Sequence, residues 1–83
     1  MISVTERAKL LWACRRGMLE LDILLGRFCQ QGLDTLTPEE ALVFERLLRT
    51  PDPELLNWLM GYEHPEEKEF LDVLARIQSC FKV

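Results

Sequence analysis

Arg15-Arg16-Gly17-Met18-Leu19-Glu20 sets charges of both signs around a glycine that interrupts two otherwise continuous apolar helical patterns. An Arg at a helix C-terminus complements the helix dipole, and a Gly just past the end takes the left-handed conformation that stops the helix. The stretch therefore predicts a corner between two helices, the first running to about Arg16 and the second restarting near Met18. Folding does not require a second adjacent Arg, nor an acid four residues beyond Arg16. Two readings stay open. One is a local Arg16 to Glu20 ion pair worth a fraction of a kcal/mol, in the poorer orientation for a helix and with Gly17 breaking the helix between the partners. The other is a recognition surface, in which Arg16 forks onto a partner carboxylate or carbonyls, Glu20 accepts from a partner donor and Gly17 lets a foreign backbone come close.

Upstream, Ser3-Val4-Thr5-Glu6 fits a capping box ahead of Ala8, Leu11 and Trp12, and this stripe predicts Trp12 in the core or at its edge. Downstream, Leu21, Leu24, Leu25 and Phe28 share a helical face that should stop by Gly32. Gly26 lies inside that helix and costs about 1 kcal/mol relative to Ala, so the last turn is expected to bend, fray or separate. Three later starts repeat one device, a proline in the first helical position: Thr37-Pro38-Glu39-Glu40, Asp52-Pro53-Glu54 and His64-Pro65-Glu66-Glu67, the first two led by a good N-cap. The apolar positions that follow are Val43, Phe44, Leu47 and Leu48, then Leu55, Leu56, Trp58 and Leu59, then Phe70, Val73, Leu74 and Ile77, all at helical spacing. Trp58 or Met60 is left as a candidate for partial exposure, since the neighbouring leucines already supply an inward face. No alternating pattern or hairpin dipeptide points to strands. The expectation is an all-α protein, one compact five-helix bundle over residues 1–83.

A chain of 83 residues hides only roughly 60% of the surface its unfolded form exposes, which leaves little room for a deep enzyme cleft. A net charge of -4 argues against general nucleic-acid binding, which needs a basic stripe to neutralise phosphates. No apolar run approaches the roughly 20 residues needed to cross a bilayer, and Met1 to Leu11 lacks the uninterrupted apolar core of a signal peptide, so a cytoplasmic protein is expected. Cys14, Cys29 and Cys80 are odd in number and widely spaced, which disfavours a disulfide framework or a zinc site and reads as small buried apolar residues. With one histidine, a His-based metal cluster is excluded unless chains share ligands. His64 reads as a surface residue before a proline, and Cys14 has no visible histidine partner to make it a nucleophile. The acids Glu39, Glu40, Glu66, Glu67 and Glu69 read as dipole partners and solvated faces. No catalytic residue and no metal or cofactor held by this chain is expected.

The run Trp12-Ala13-Cys14-Arg15-Arg16-Gly17-Met18-Leu19-Glu20-Leu21-Asp22 resembles the Arg-Gly-x-x-Glu signature region of the SdhE family, also called the succinate dehydrogenase assembly factor 2 family. A second run, Asp52-Pro53-Glu54-Leu55-Leu56-Asn57-Trp58-Leu59-Met60, resembles that family's later Asp-Pro…Trp-Leu segment. The resemblance spans nearly the whole chain. It implies a five-helix assembly factor, not itself a catalyst, that binds the flavoprotein subunit of succinate dehydrogenase, and also of fumarate reductase, and promotes covalent attachment of FAD to that subunit's histidine. FAD would then belong to the partner. The family's motif carries over onto Arg16, Gly17 and Glu20, with Arg15, Trp12 and Asp22 as flanking candidates. No mitochondrial presequence precedes the signature, which fits a bacterial member, and the chain ends at Val83 without much of a polar tail. Members have also been labelled antitoxins of a pair acting on cytoskeletal proteins, which is the rival expectation. The free chain is expected to be a monomer, a two-fold contact through Arg16 and Glu20 being the other possibility.

Overall fold

Ser3 accepts a hydrogen bond from the Glu6 amide at 3.1 Å and starts the first helix where its side chain satisfies an otherwise orphaned donor. The computed structural model describes residues 2–81, so the Val83 terminus lies outside the described residues. It contains α1 (Val4–Ala13), α2 (Leu19–Gln31), a 3₁₀ turn (Leu33–Thr35), α3 (Pro38–Leu47), α4 (Asp52–Met60) and α5 (Lys68–Gln78), with no strand among the described residues. The all-α, five-helix expectation holds.

The core is built on α2. Leu21, Leu25 and Phe28 recur every three or four positions, point one way and are essentially inaccessible. Phe28 meets Phe44 of α3 edge to face, with ring centroids 5.2 Å apart. Leu47, Leu55, Leu59, Leu74 and Ile77 complete the interior from α3, α4 and α5. At the rim of the α3/α5 seam, Arg46 pairs with Glu69 at 2.7 Å and lies over the Phe70 ring, while Arg76 pairs with Glu40 at 2.7 Å and bonds the Thr35 hydroxyl.

Several boundaries differ from expectation for local reasons. First, α1 stops at Ala13, three residues short of Arg16, with Cys14 as its C-cap. Its inward positions are Leu10 and Cys14, so the predicted stripe through Ala8, Leu11 and Trp12 is displaced: Ala8 and Trp12 are exposed and Leu11 is half-buried. Gly26 does not end α2, which continues to Gln31. Pro38 does open α3, behind a complete capping box in which Thr37 and Glu40 satisfy each other's amides at 3.1 and 2.9 Å. Asp52, expected as an N-cap, is instead the first residue of α4, and Pro51 takes the cap position. In the fifth start Pro65 is buried ahead of the helix, which begins only at Lys68 behind Glu67. Trp58, left open by the sequence, is half-buried and tilted against Phe70 at 6.2 Å between centroids. Met60 is exposed.

Two stability outcomes are expected. Nothing lies within 4 Å of a Cβ built on Gly26, so Gly26→Ala should raise unfolding free energy by about 1 kcal/mol in a urea titration, by removing unfolded-state freedom at a helical position. The capping-box amide of Thr37 and then Arg76 hold the Glu40 carboxyl below its ordinary value. A carboxyl lowered in the folded state stabilises above its unfolded value, and that contribution is lost as pH falls through the folded one. Glu40→Gln should therefore flatten the acid limb of the stability profile below about pH 4.5, measured by thermal melts across pH.

Candidate functional site

Three turns of chain meet at the Arg16 side chain. α1 ends at Ala13, leaving its last carbonyls without helical partners, and the Arg16 guanidinium turns back so that Nη1 donates to the Ala13 carbonyl at 3.2 Å. The same Nη1 donates to the carbonyl of Leu48, the C-cap of α3. Nη2 donates to the Thr50 carbonyl at 2.8 Å, and Nε to Asp52 Oδ1 at 2.8 Å at the first residue of α4. The planar fork of Arg is what allows one side chain to serve four acceptors. Its side chain is 15% exposed. The expected fork onto a partner is thus occupied from within the chain, and the partner of the ion pair is Asp52, not Glu20.

The backbone between the helices is held as tightly. The Arg15 amide donates to the Trp12 carbonyl at 3.1 Å, and the Arg16 amide donates to Asp22 Oδ1 at 2.8 Å. Asp22 is also in the first turn of α2, where a carboxylate complements the helix dipole. Gly17 has φ of 80°, the left-handed region that an L side chain enters at a cost of about 1–2 kcal/mol. No atom stands within 4 Å of a Cβ at this position, which is open to solvent.

Around this braced loop the remaining candidates face outward. Trp12 is 76% exposed, which overturns its assignment to the core. The reason is angular: buried Leu10 sets the inward direction of α1, and a residue two positions later lies about 200° around the helix. Arg15 and Glu20 are exposed as well. Sequence reasoning missed two apolar neighbours on α2: Leu19 is 69% and Ile23 47% exposed, four residues apart and so on one face. The signal was available, because both lie off the Leu21, Leu25, Phe28 face. A groove of about 740 Å³, lined in part by Leu11, Cys14, Asp22 and Cys29, runs between the two helices.

Cys14 and Cys29 line that groove, and their sulfurs lie 3.4 Å apart, both buried and neither in a disulfide. Their shared hydrogen bond drives them apart as acids. The shared hydrogen bond and burial push Cys14 well up, while the same bond and the positive charge of Arg7 lower Cys29. Among the described residues no group of three or more His, Cys, Asp and Glu side chains could hold a metal ion. His64 is exposed beside Pro65, and no helix of the described residues is long and apolar enough to cross a membrane.

The family described as "Flavinator of succinate dehydrogenase" matches residues 8–81. The chain is 49% identical over 75 residues to the FAD assembly factor SdhE of Legionella pneumophila (strain Paris), covering 90% of this chain and 94% of the relative. It is 50% identical over 70 residues to that of Coxiella burnetii, covering 84% and 85%. It is 41% identical over 81 residues to that of Idiomarina loihiensis, covering 98% and 90%.

Removing the fork should be costly to folding. Arg16→Ala leaves Asp52 and three backbone carbonyls without their donor, and should lower unfolding free energy by about 2–4 kcal/mol. Arg16→Lys should recover less than half of that in the same denaturant titration, because a single ammonium cannot span the four acceptors.

Proposed function

The chain belongs to the family of flavinators of succinate dehydrogenase, and from that premise we propose that it docks on the flavoprotein subunit of that enzyme and promotes its covalent flavinylation. FAD is the partner's cofactor and bonds to the partner's histidine; this chain supplies a docking surface and no catalytic group. The reading extends to the fumarate reductase flavoprotein and to a cytoplasmic protein that is monomeric when free. Monomer is preferred because the Arg16 donor needed for a self-complementary Arg16/Glu20 contact already serves Asp52. The antitoxin alternative has no support in the names the relatives carry.

What carries the reading is the exposed indole of Trp12 beside the braced corner at Gly17, a large apolar group that folding does not use. Its surroundings suit a protein partner. Leu19 and Ile23 at the start of α2 are exposed apolar groups too, and Arg15 and Glu20 are exposed charges of opposite sign in the same corner. Gly17 allows the partner's backbone to approach the corner without meeting a side chain. Arg16 and Asp22 act from behind, as positioning residues that fix the corner's backbone.

The test is covalent flavin fluorescence of the denatured succinate dehydrogenase flavoprotein from a host lacking this gene, complemented with variants. Wild type should restore the fluorescent band. Trp12→Ala should keep wild-type helicity and melting, since the indole is solvated, and lose most of the band. Gly17→Arg should lose it more completely than Gly17→Ala, because both carry the strain of positive φ and only the first adds bulk at the docking face. A band unchanged by deletion of the gene would end the assembly-factor reading for this chain.

A further inference from the structure

Cys14 caps the end of α1, Cys29 lies two residues before the end of α2, and their sulfurs are 3.4 Å apart. A disulfide needs about 2.05 Å between sulfurs, so closure asks for roughly 1.4 Å of approach from a pair already in contact. Although both residues are buried, both line the open groove between α1 and α2. Gly26 lines it too and contributes no side chain, with empty space where a Cβ would stand. A small molecule entering the groove meets the two cysteines beside a bare helix position.

We propose that Cys14 and Cys29 are a redox-active dithiol that exchanges with a small disulfide of the glutathione class and closes to an intramolecular Cys14–Cys29 bond. The inference rests on the two sulfurs and the groove, independently of the succinate dehydrogenase reading. The Cys29 thiolate attacks one sulfur of the incoming disulfide, forming a mixed disulfide and expelling the first small thiolate, which takes a proton. Cys14 then loses its proton to water and its sulfur attacks the Cys29 sulfur, expelling the second small thiol. Two protein thiols are oxidised and one small disulfide is reduced to two thiols. Cys29 suits the attacking role because the neighbouring thiol and Arg7 stabilise its anion. Closure would tie residues 14 and 29 into a loop that contains Arg16, Gly17 and Glu20.

Full-length protein equilibrated in glutathione buffers of rising oxidised fraction, quenched with N-ethylmaleimide and digested with trypsin, tests this. The expected product has lost two labelled thiols and two hydrogens in mass, and yields peptide 10–15 joined to peptide 28–46, released by dithiothreitol. Cys80→Ser should form the same link and Cys29→Ser should not. In urea, where the sulfurs lose their contact, link formation should slow by about tenfold. Three labelled thiols at the oxidising end, glutathione adducts without the 14–29 link, links through Cys80, or an equal rate in urea would each overturn the proposal.

Discussion

The guanidinium of Arg16 is the contact on which the arrangement of helix ends depends. Two of its acceptors, the carbonyls of Ala13 and Leu48, belong to the C-terminal ends of α1 and α3, where unsatisfied carbonyls concentrate partial negative charge. The third lies in the Thr50 turn, and the fourth is the carboxylate that begins α4. One cation thus neutralises charge from three helix termini that would otherwise be left to water or to each other. The pair is part-buried, so its merit lies in complete hydrogen bonding more than in bare Coulomb attraction.

The contact sits outside an apolar interior. Among the described residues no polar or charged residue is buried, and no buried side-chain nitrogen or oxygen lacks a partner. α2 and α5 carry the inward stripes, and polar connections sit at the rims: the Thr37/Glu40 box, Arg46 with Glu69, and Arg76 with Glu40. α1 differs in that Leu10 is its one fully buried residue. It is tied down by Arg7, within the helix, with Asp34 at 2.9 Å and by the corner that follows Ala13.

Helix number and most apolar faces were legible, because 3.6-residue periodicity and the Thr37-Pro38 start encode local physics. The errors cluster where tertiary partners overrule local preference. Asp52 looks like an N-cap until its carboxylate is claimed by a residue 36 positions earlier. Pro65 looks like a helix start, yet it is buried three residues before the helix begins. For Trp12, a short helix with a single buried position offered two stripes, and hydrophobicity alone chose the wrong one. The corner at Arg15 to Glu20 was found as a unit, yet its division of labour was not. That Arg16 faces inward while Arg15 faces out follows from the placement of α3 and α4, which no local pattern records.

That division has a thermodynamic corollary. The backbone from Ala13 to Asp22 is pinned at the Arg15 and Arg16 amides, at the guanidinium and at the Asp22 carboxylate. Its conformational entropy is therefore surrendered during folding, offset by the same hydrogen bonds that stabilise the bundle. A macromolecule meeting this corner encounters a surface that is already shaped, and association need not include the ordering cost that a floppy loop would impose on every encounter. The signature arginine, though turned away from any such encounter, would still influence its affinity by keeping the loop's alternatives unpopulated.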